Sequence, residues 1–303
     1  MSEHGVGEPE TFDTLRPLLF TIAYELLGSA ADAEDVLQDS YLRWRDIDPA
    51  AVEHPRAYLI KIVTRQALNR LRTVRRRRED YIGSWLPEPI RTENDASHDV
   101  LLAESVSMAM LLVLETLTPT ERAVFVLSEV FGHTHAEIAD MIGKSAPAVR
   151  QIAHRARTHI QSRRKRFTPD TDTSRAVIAR FLHTAQTGEV QPLMDLLAPD
   201  VVQISDGGGV VTAARHPITG AEQVAKFLLA LSRNAMSGMH YEPATFNALP
   251  ALMARSPETG ALDSILLIET DGTRITALYA IRNPEKLQLA DKTHLLDRAA
   301  QPT

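Results

Sequence analysis

Two arginine-dense stretches without an acidic residue constrain this chain more than any other feature. Lys61 to Arg78 (KIVTRQALNRLRTVRRRR) and Lys144 to Arg166 (KSAPAVRQIAHRARTHIQSRRKR) each hold eight Lys or Arg and no Asp or Glu. Charges of one sign at that density cannot enter a core, and on a surface they repel one another unless a polyanion neutralises them. They lie far apart in sequence and so belong on different structural units, as expected of a protein that grips a duplex in two places. The formal net charge of -6 conceals both clusters.

At 303 residues the chain is long enough for two or three domains, each with its own core. It contains no cysteine, which excludes disulfide staples, thiolate zinc sites and cysteine nucleophiles together. The first residues, MSEHGVGEPE, lack the basic start and apolar stretch of a secretion signal, and no later apolar run approaches the roughly 20 residues that cross a bilayer. A soluble cytoplasmic protein with no membrane partner, cofactor or metal is the expectation.

From about residue 12 to 78 the pattern is helical: Leu15, Leu18, Leu19, Ile22, Ala23, Leu26 and Leu27 recur at spacings of three and four. Asp32 is placed to cap a second helix carrying Val36, Leu37, Tyr41, Leu42 and Trp44, and Pro55 to open a third that merges into the first arginine run. Gly83, Pro87 and Pro89 then break periodicity in YIGSWLPEPIRTENDASHD, a linker. A solvated tether has no need of Trp85, Leu86 and Ile90, so they either pad the neighbouring helices or form a clasp.

Helical periodicity returns from Val100 to Arg166. Thr118 caps a helix with Pro119 at its first position; His135 to Ile142 is a short helix, Gly143 turns the chain, and Ser145 caps the helix bearing the second basic run. Short helix, glycine turn and long basic helix make a helix-turn-helix. Spacings of three and four line up Arg150, His154 and Arg157, with Gln151 and Arg155 beside them, while Ala146, Val149, Ile152, Ala153 and Ala156 pack inward. Arg forks match guanine and Gln matches adenine, so the front of the helix is expected to read bases and Arg163 to Arg166 to hold phosphates. A merely solvated helix face normally alternates signs, which this one does not. In the first run, Thr64, Gln66 and Asn69 interleave with Lys61, Arg65, Arg70 and Arg72, mixing base-edge hydrogen bonders with cations for phosphate.

The order of DAEDVLQDSYLRW (Asp32 to Trp44), LNRLRTVRRRR, a linker, and LTPTERAVFVLSEVFGHTHAEIADMIGKSAPAVRQIAHRAR resembles the extracytoplasmic-function (ECF) RNA polymerase sigma factors over residues 12 to 167. The resemblance implies two all-α modules: region 2 at 11–80, binding the clamp helices of core polymerase and the -10 element, and region 4 at 107–167, placing its last helix in the -35 major groove, with the polymerase flap as a further contact. The linker is 81–106. Carried over by position, Asp35, Gln38, Asp39 and Arg43 face core polymerase; Lys61, Thr64, Arg65, Asn69 and Arg72 face the -10 strand; Arg150, Gln151, His154, Arg155 and Arg157 face the -35 duplex. Ala148 departs from the threonine common there, which puts the -35 preference in doubt.

Beyond residue 167, Ser174 to Thr187, Val190 to Leu197 and Ala221 to Ser232 read as helices, and DVVQISDGGGVV, YEPATFNALPALMARS, SILLIET and RITALYAIR as strands. That order resembles the SnoaL-like branch of the nuclear-transport-factor-2-like α+β fold, here at 174–288 with a tail at 289–303. Together with WLPEP, DGGG and NPEKL, it is similar to the sigma J-like subgroup bearing such an extension, although Val210 replaces the lysine that often follows DGGG. The resemblance implies a regulator acting in cis through Trp85, Leu86 and Pro87, Asp206, Gly207, Gly208 and Gly209, and Asn283, Pro284 and Lys286. A ligand-responsive helix-turn-helix regulator is the alternative, but leaves DAEDVLQDSYLRW without a task. An enzyme with a DNA-binding appendage would draw its acid and base from Asp206, His216, His240 and Tyr241, for which one sequence shows no pairing geometry; no residue is assigned as catalytic.

Overall fold

The computed structural model describes residues 12–48, 51–79, 81–92, 99–163, 171–187, 189–234 and 238–298. Arg164, Lys165 and Arg166, the end of the second basic run, lie outside these residues.

Three helices open the chain: α1 (Phe12–Leu27), α2 (Ala30–Arg45) and α3 (Pro55–Glu79). The seven apolar residues read from α1 are all buried, and α3 contributes Leu59, Ile60, Val63, Ala67, Leu68 and Leu71 to the same core. The cap of α2 is Ser29, not Asp32: the Ser29 hydroxyl accepts from the Asp32 backbone N–H at 3.0 Å. Gly28, at φ +64, turns the chain so tightly that the helix begins two residues before Asp32.

After an extended segment over 81–92 come α4 (Val100–Ser105), α5 (Met108–Glu115), α6 (Pro119–Phe125) running into a π-helical turn (Val126–Val130), α7 (His135–Ile142) and α8 (Ala146–Arg163). Thr118 with Glu121, and Thr134 with Glu137, form reciprocal capping boxes. Gly143 takes φ +68 between α7 and α8, the left-handed turn the helix-turn-helix requires. Val149, Ile152, Ala153, Ala156 and Ile160 form the buried face of α8. One continuous hydrophobic cluster spans α1 to α3 and α5 to α8, so the two helical modules share a core.

The remainder comprises α9 (Thr171–Thr187), α10 (Val190–Leu196), β1 (Leu197–Asp206), β2 (Ile218–Thr219), α11 (Ala221–Asn234), β3 (His240–Phe246), β4 (Leu249–Arg255), β5 (Leu262–Thr270), β6 (Ile275–Ile281) and α12 (Pro284–Leu287). The sheet order is β2-β1-β6-β5-β4-β3, antiparallel except for β1 beside β6. The helices α9 to α11 cover one face through Phe181, Leu193, Val224, Ile268 and Leu278. The opposite face carries Met253, Ile265, Leu267, Tyr279 and Ile281, and packs on Leu86 of the linker and Met108 of α5.

Two strand assignments change. YEPATFNALPALMARS is a hairpin, β3 to β4, because Asn247 and Ala248 both adopt positive φ in a two-residue turn. The strand read through DVVQISDGGGVV stops at Asp206, where the glycines turn away. Among the described residues, no helix is long and apolar enough to cross a membrane.

Candidate nucleic-acid interface and interdomain clasp

On α3, Lys61, Arg65, Asn69 and Arg72 follow one another at spacings of three and four, and Arg65, Asn69 and Arg72 are exposed. Thr64 does not belong with them. It is fully buried, one turn from Ile60 and Leu68 on the inner stripe, so the expectation that it faces DNA is corrected by the phase of the helix. The outer stripe is partly engaged, because α7 lies against its Lys61 and Arg65 end while Asn69 and Arg72 stay exposed. The Arg65 guanidinium donates to the Met141 carbonyl at 2.8 Å and the Asp140 carbonyl at 3.2 Å, and Lys61 pairs with the Asp140 carboxylate at 2.6 Å. These carbonyls are at the carboxy-terminal end of α7, where the helix dipole favours a cation.

Arg150, Gln151, His154, Arg155 and Arg157 of α8 are all exposed. Arg157 forms an ion pair with Glu129 at 2.5 Å and Arg155 approaches Glu121 at 4.0 Å, so two acids from α6 and its π-turn balance a helix that has none of its own. On α2, Asp35, Gln38, Asp39 and Arg43 form an exposed stripe, to which Leu42 adds an apolar side chain at 42% exposure. Arg70 of α3 holds Asp32 at 2.6 Å and Asp35 at 3.3 Å.

The linker, the DGGG turn and NPEKL meet in one buried knot. Its centre is the Asp206 carboxylate, fully buried at the end of β1. One oxygen accepts from the Tyr81 hydroxyl at 2.5 Å and the Gly208 N–H at 3.0 Å; the other accepts from the Leu86 N–H at 2.8 Å and the Lys286 ammonium at 2.7 Å. Lys286 also donates to the Leu86 carbonyl and lies over the Trp85 ring at 4.2 Å. Asn283 caps α12 ahead of Pro284, and its amide donates to the Tyr81 hydroxyl at 2.8 Å. Burial and the adjacent Asp206 charge push the Tyr81 hydroxyl well above its ordinary pKa, so it remains a donor. Two glycines are obligatory: a Cβ on Gly207 would lie 2.4 Å from the Val211 carbonyl oxygen, and one on Gly208, at φ +65, 2.5 Å from the Asn283 amide. Gly209 completes the turn and Pro87 is buried beside Leu86. Asp206 is committed to this knot, while His216 and His240 are exposed.

The sequence matches Sigma-70 region 2 over residues 11–77 and Sigma-70 region 4 over residues 107–160. It is 34% identical to the ECF RNA polymerase sigma factor SigJ of Mycobacterium tuberculosis, covering 98% of this chain and 97% of that protein. The crystal structure of M. tuberculosis SigJ superposes with a TM-score of 0.74 at 31% identity, over 92% of this chain and 98% of that one. The probable ECF sigma factor SigI of the same species is 29% identical over 90% of this chain and 92% of its own length. The chain belongs to the ECF RNA polymerase sigma factors. It is a promoter-specificity subunit, with RNA polymerase and promoter DNA as partners, and the reading as a free-standing helix-turn-helix regulator is not favoured.

Several residues that join region 2, the linker, region 4 and the extension to one another escape sequence reading. Glu88, between the two prolines of the linker, accepts from the Ser29 hydroxyl at 2.7 Å and the Ala31 N–H at 3.0 Å, placing a carboxylate at the amino terminus of α2. Asn247, at the tip of the β3–β4 hairpin, donates to the Tyr24 hydroxyl at 2.6 Å and the Val106 carbonyl at 2.9 Å, and accepts from the Ile90 N–H at 3.1 Å. One side chain of the extension thus joins region 2 to the linker at Ile90 and at Val106, just ahead of region 4. Nearby, buried Glu25 accepts from Ser105 at 2.6 Å, and buried Arg122 reaches the Glu25 carbonyl at 2.9 Å and the Glu115 carboxylate. The tail forms a strap over region 2: Lys292 pairs with Glu34 at 2.6 Å, His294 stacks on Phe20 at 4.5 Å, and the Asp297 N–H reaches Thr21 at 3.1 Å. The only cue to these contacts was a polar or apolar residue too costly to leave without a partner.

Proposed function

We propose that the structure is the closed state of a sigma factor restrained by its own carboxy-terminal domain. In the open state Asp35, Gln38, Asp39 and Arg43 engage the clamp helices of core polymerase, region 4 engages the flap, Lys61, Arg65, Asn69 and Arg72 hold the -10 strand, and Arg150, Gln151, His154, Arg155 and Arg157 read the -35 duplex. The observation that carries the reading is Arg65 spending its donors on the carbonyls of Met141 and Asp140. Elements named for positions 10 and 35 lie about 25 base pairs apart, roughly 85 Å of duplex at 3.4 Å per pair. A region 2 helix hydrogen-bonded to the helix-turn-helix cannot serve both at once.

The clasp at Asp206 supports the role assigned to the extension. Because the domain is fused, its effective concentration at the linker is high and modest contacts suffice to hold closure. Lys286→Met leaves a buried carboxylate without its counter-charge, which typically costs about 3–5 kcal/mol. In run-off transcription with full-length proteins, Lys286→Met is expected to form holoenzyme at lower concentration than wild type. Equal or weaker holoenzyme formation by a folded variant rejects restraint by the extension.

A further inference from the structure

The outer face of the sheet is close-packed against Leu86 and Met108, but further along the same interface the packing fails. There α5 and the sheet border a half-open pocket of about 210 Å³. Met110 and Val113 of α5 form one wall, and Val202, Ile204 and Ala277 of β1 and β6 the other. It lies on the face opposite α9 to α11, as the strand pairing Val202 with Ala277 and Ile204 with Tyr279 fixes. Protein interiors seldom leave voids larger than a water, and an apolar cavity of about 150 Å³ is large enough to take up benzene.

Part of the lining is polar. The buried Tyr279 hydroxyl donates to the Glu269 carboxylate at 2.8 Å, and Glu104 and Arg163 also line the pocket. Carboxylate oxygens in a mainly apolar lining favour a ligand that carries a hydrogen-bond donor. Burial and Glu269 hold Tyr279 protonated, so its proton stays directed at Glu269.

We propose that this cavity binds a small, neutral, mainly apolar ring compound carrying one N–H or O–H donor, its ring between α5 and the sheet and its donor at Glu269. One wall belongs to region 4 and the other to the carboxy-terminal domain, so an occupant bridges them. Its effect on opening rests on the closed-state reading above; the binding itself does not. Under that reading an occupant stabilises the closed form by its differential affinity for it.

The probe is indole, titrated by calorimetry into the full-length protein, with indene as the isostere lacking the donor. Indole is expected to bind saturably at one site and indene about tenfold more weakly, the loss of one buried hydrogen bond. Ala109→Leu and Val113→Phe, two separate fillings of the cavity, are each expected to weaken indole at least tenfold; using both keeps a folding defect in one from deciding the matter. Absence of saturable binding, or indole affinity unchanged in a folded filled variant, overturns the site. Indole is further expected to raise the sigma concentration needed for half-maximal holoenzyme formation by wild type but not by Val113→Phe. Saturable binding that leaves holoenzyme formation unchanged retains the site and counts against the closed-state reading.

Discussion

A single buried carboxyl sets the pH response at the junction of the two sigma regions. Burial pushes Glu25 up from its ordinary 4.5 to about 8, against the lowering effect of the Ser105 hydroxyl and the Arg122 guanidinium. Between those two values the folded chain holds a proton that the unfolded chain has released. The stabilisation is therefore complete below pH 4.5 and is lost as pH rises through 8. Raising pH from 6.5 to 8 is expected to remove at most about 2 kcal/mol, since each unit of pKa difference is worth about 1.4 kcal/mol. Glu25→Gln keeps a neutral group beside Ser105, so its urea midpoint should fall less over that interval. Burial also raises the Glu88 carboxyl, which contributes in the same direction and leaves part of the slope in the variant. His294, held down at about 4 chiefly by burial, acts in a lower window and with opposite sign: its contribution is present above 6.5 and lost as pH falls through 4. An unchanged wild-type slope in Glu25→Gln rules out Glu25 as its source.

The contact between α3 and α7 is the element-scale counterpart, and it is built from surface charge. Asp140 has a side-chain exposure of 72%, and Lys61 holds its carboxyl below the usual carboxylate range. Exposed pairs contribute little, so Asp140→Ala is expected to raise affinity for single-stranded -10 DNA by less than about fivefold, and most at low salt. No change at any salt concentration removes this pair from the latch. The sequence made α7, Gly143 and α8 legible because caps, a left-handed glycine and helical spacing are local signals. Local periodicity also placed Arg65 and Asn69 on an outer face, but misplaced Thr64, since a short polar side chain fits the inner stripe as readily as an alanine does. The β3–β4 hairpin escaped notice because Asn247-Ala248 lacks the glycine that usually marks such a turn. Asn247 could not be foreseen as a joint between Tyr24, Ile90 and Val106, because those partners meet only after the domains pack.

At the scale of the whole molecule, the proposed closed state makes closure an equilibrium that polymerase must overcome. If core polymerase binds only the open form, its apparent affinity falls by the fraction of chains that are open. The clasp at Asp206, the Asn247 joint, the strap and the α3–α7 latch all bias that fraction the same way, and none of them uses the exposed stripe on α2. Under the proposed assignment Asp35, Gln38, Asp39 and Arg43 stay exposed in the closed form, so a weak first contact of polymerase there precedes tight binding of the open form. Such ordering predicts a measurable displacement. The sequence has no cysteine, so Thr73→Cys and Lys144→Cys give a unique pair of spin-label sites, both exposed, flanking the groove lined by Arg72 and Gly143. Free protein should give one short inter-label distance. Added core polymerase should replace it with one several tens of ångströms longer, toward the roughly 85 Å that separates the two promoter elements. With Lys286→Met in the same background, part of the long distance should be present before polymerase is added, because the buried pair no longer favours closure. A holoenzyme that keeps the short distance would mean that region 2 and region 4 act together as packed here, and the restraint would have to lie elsewhere than in their separation.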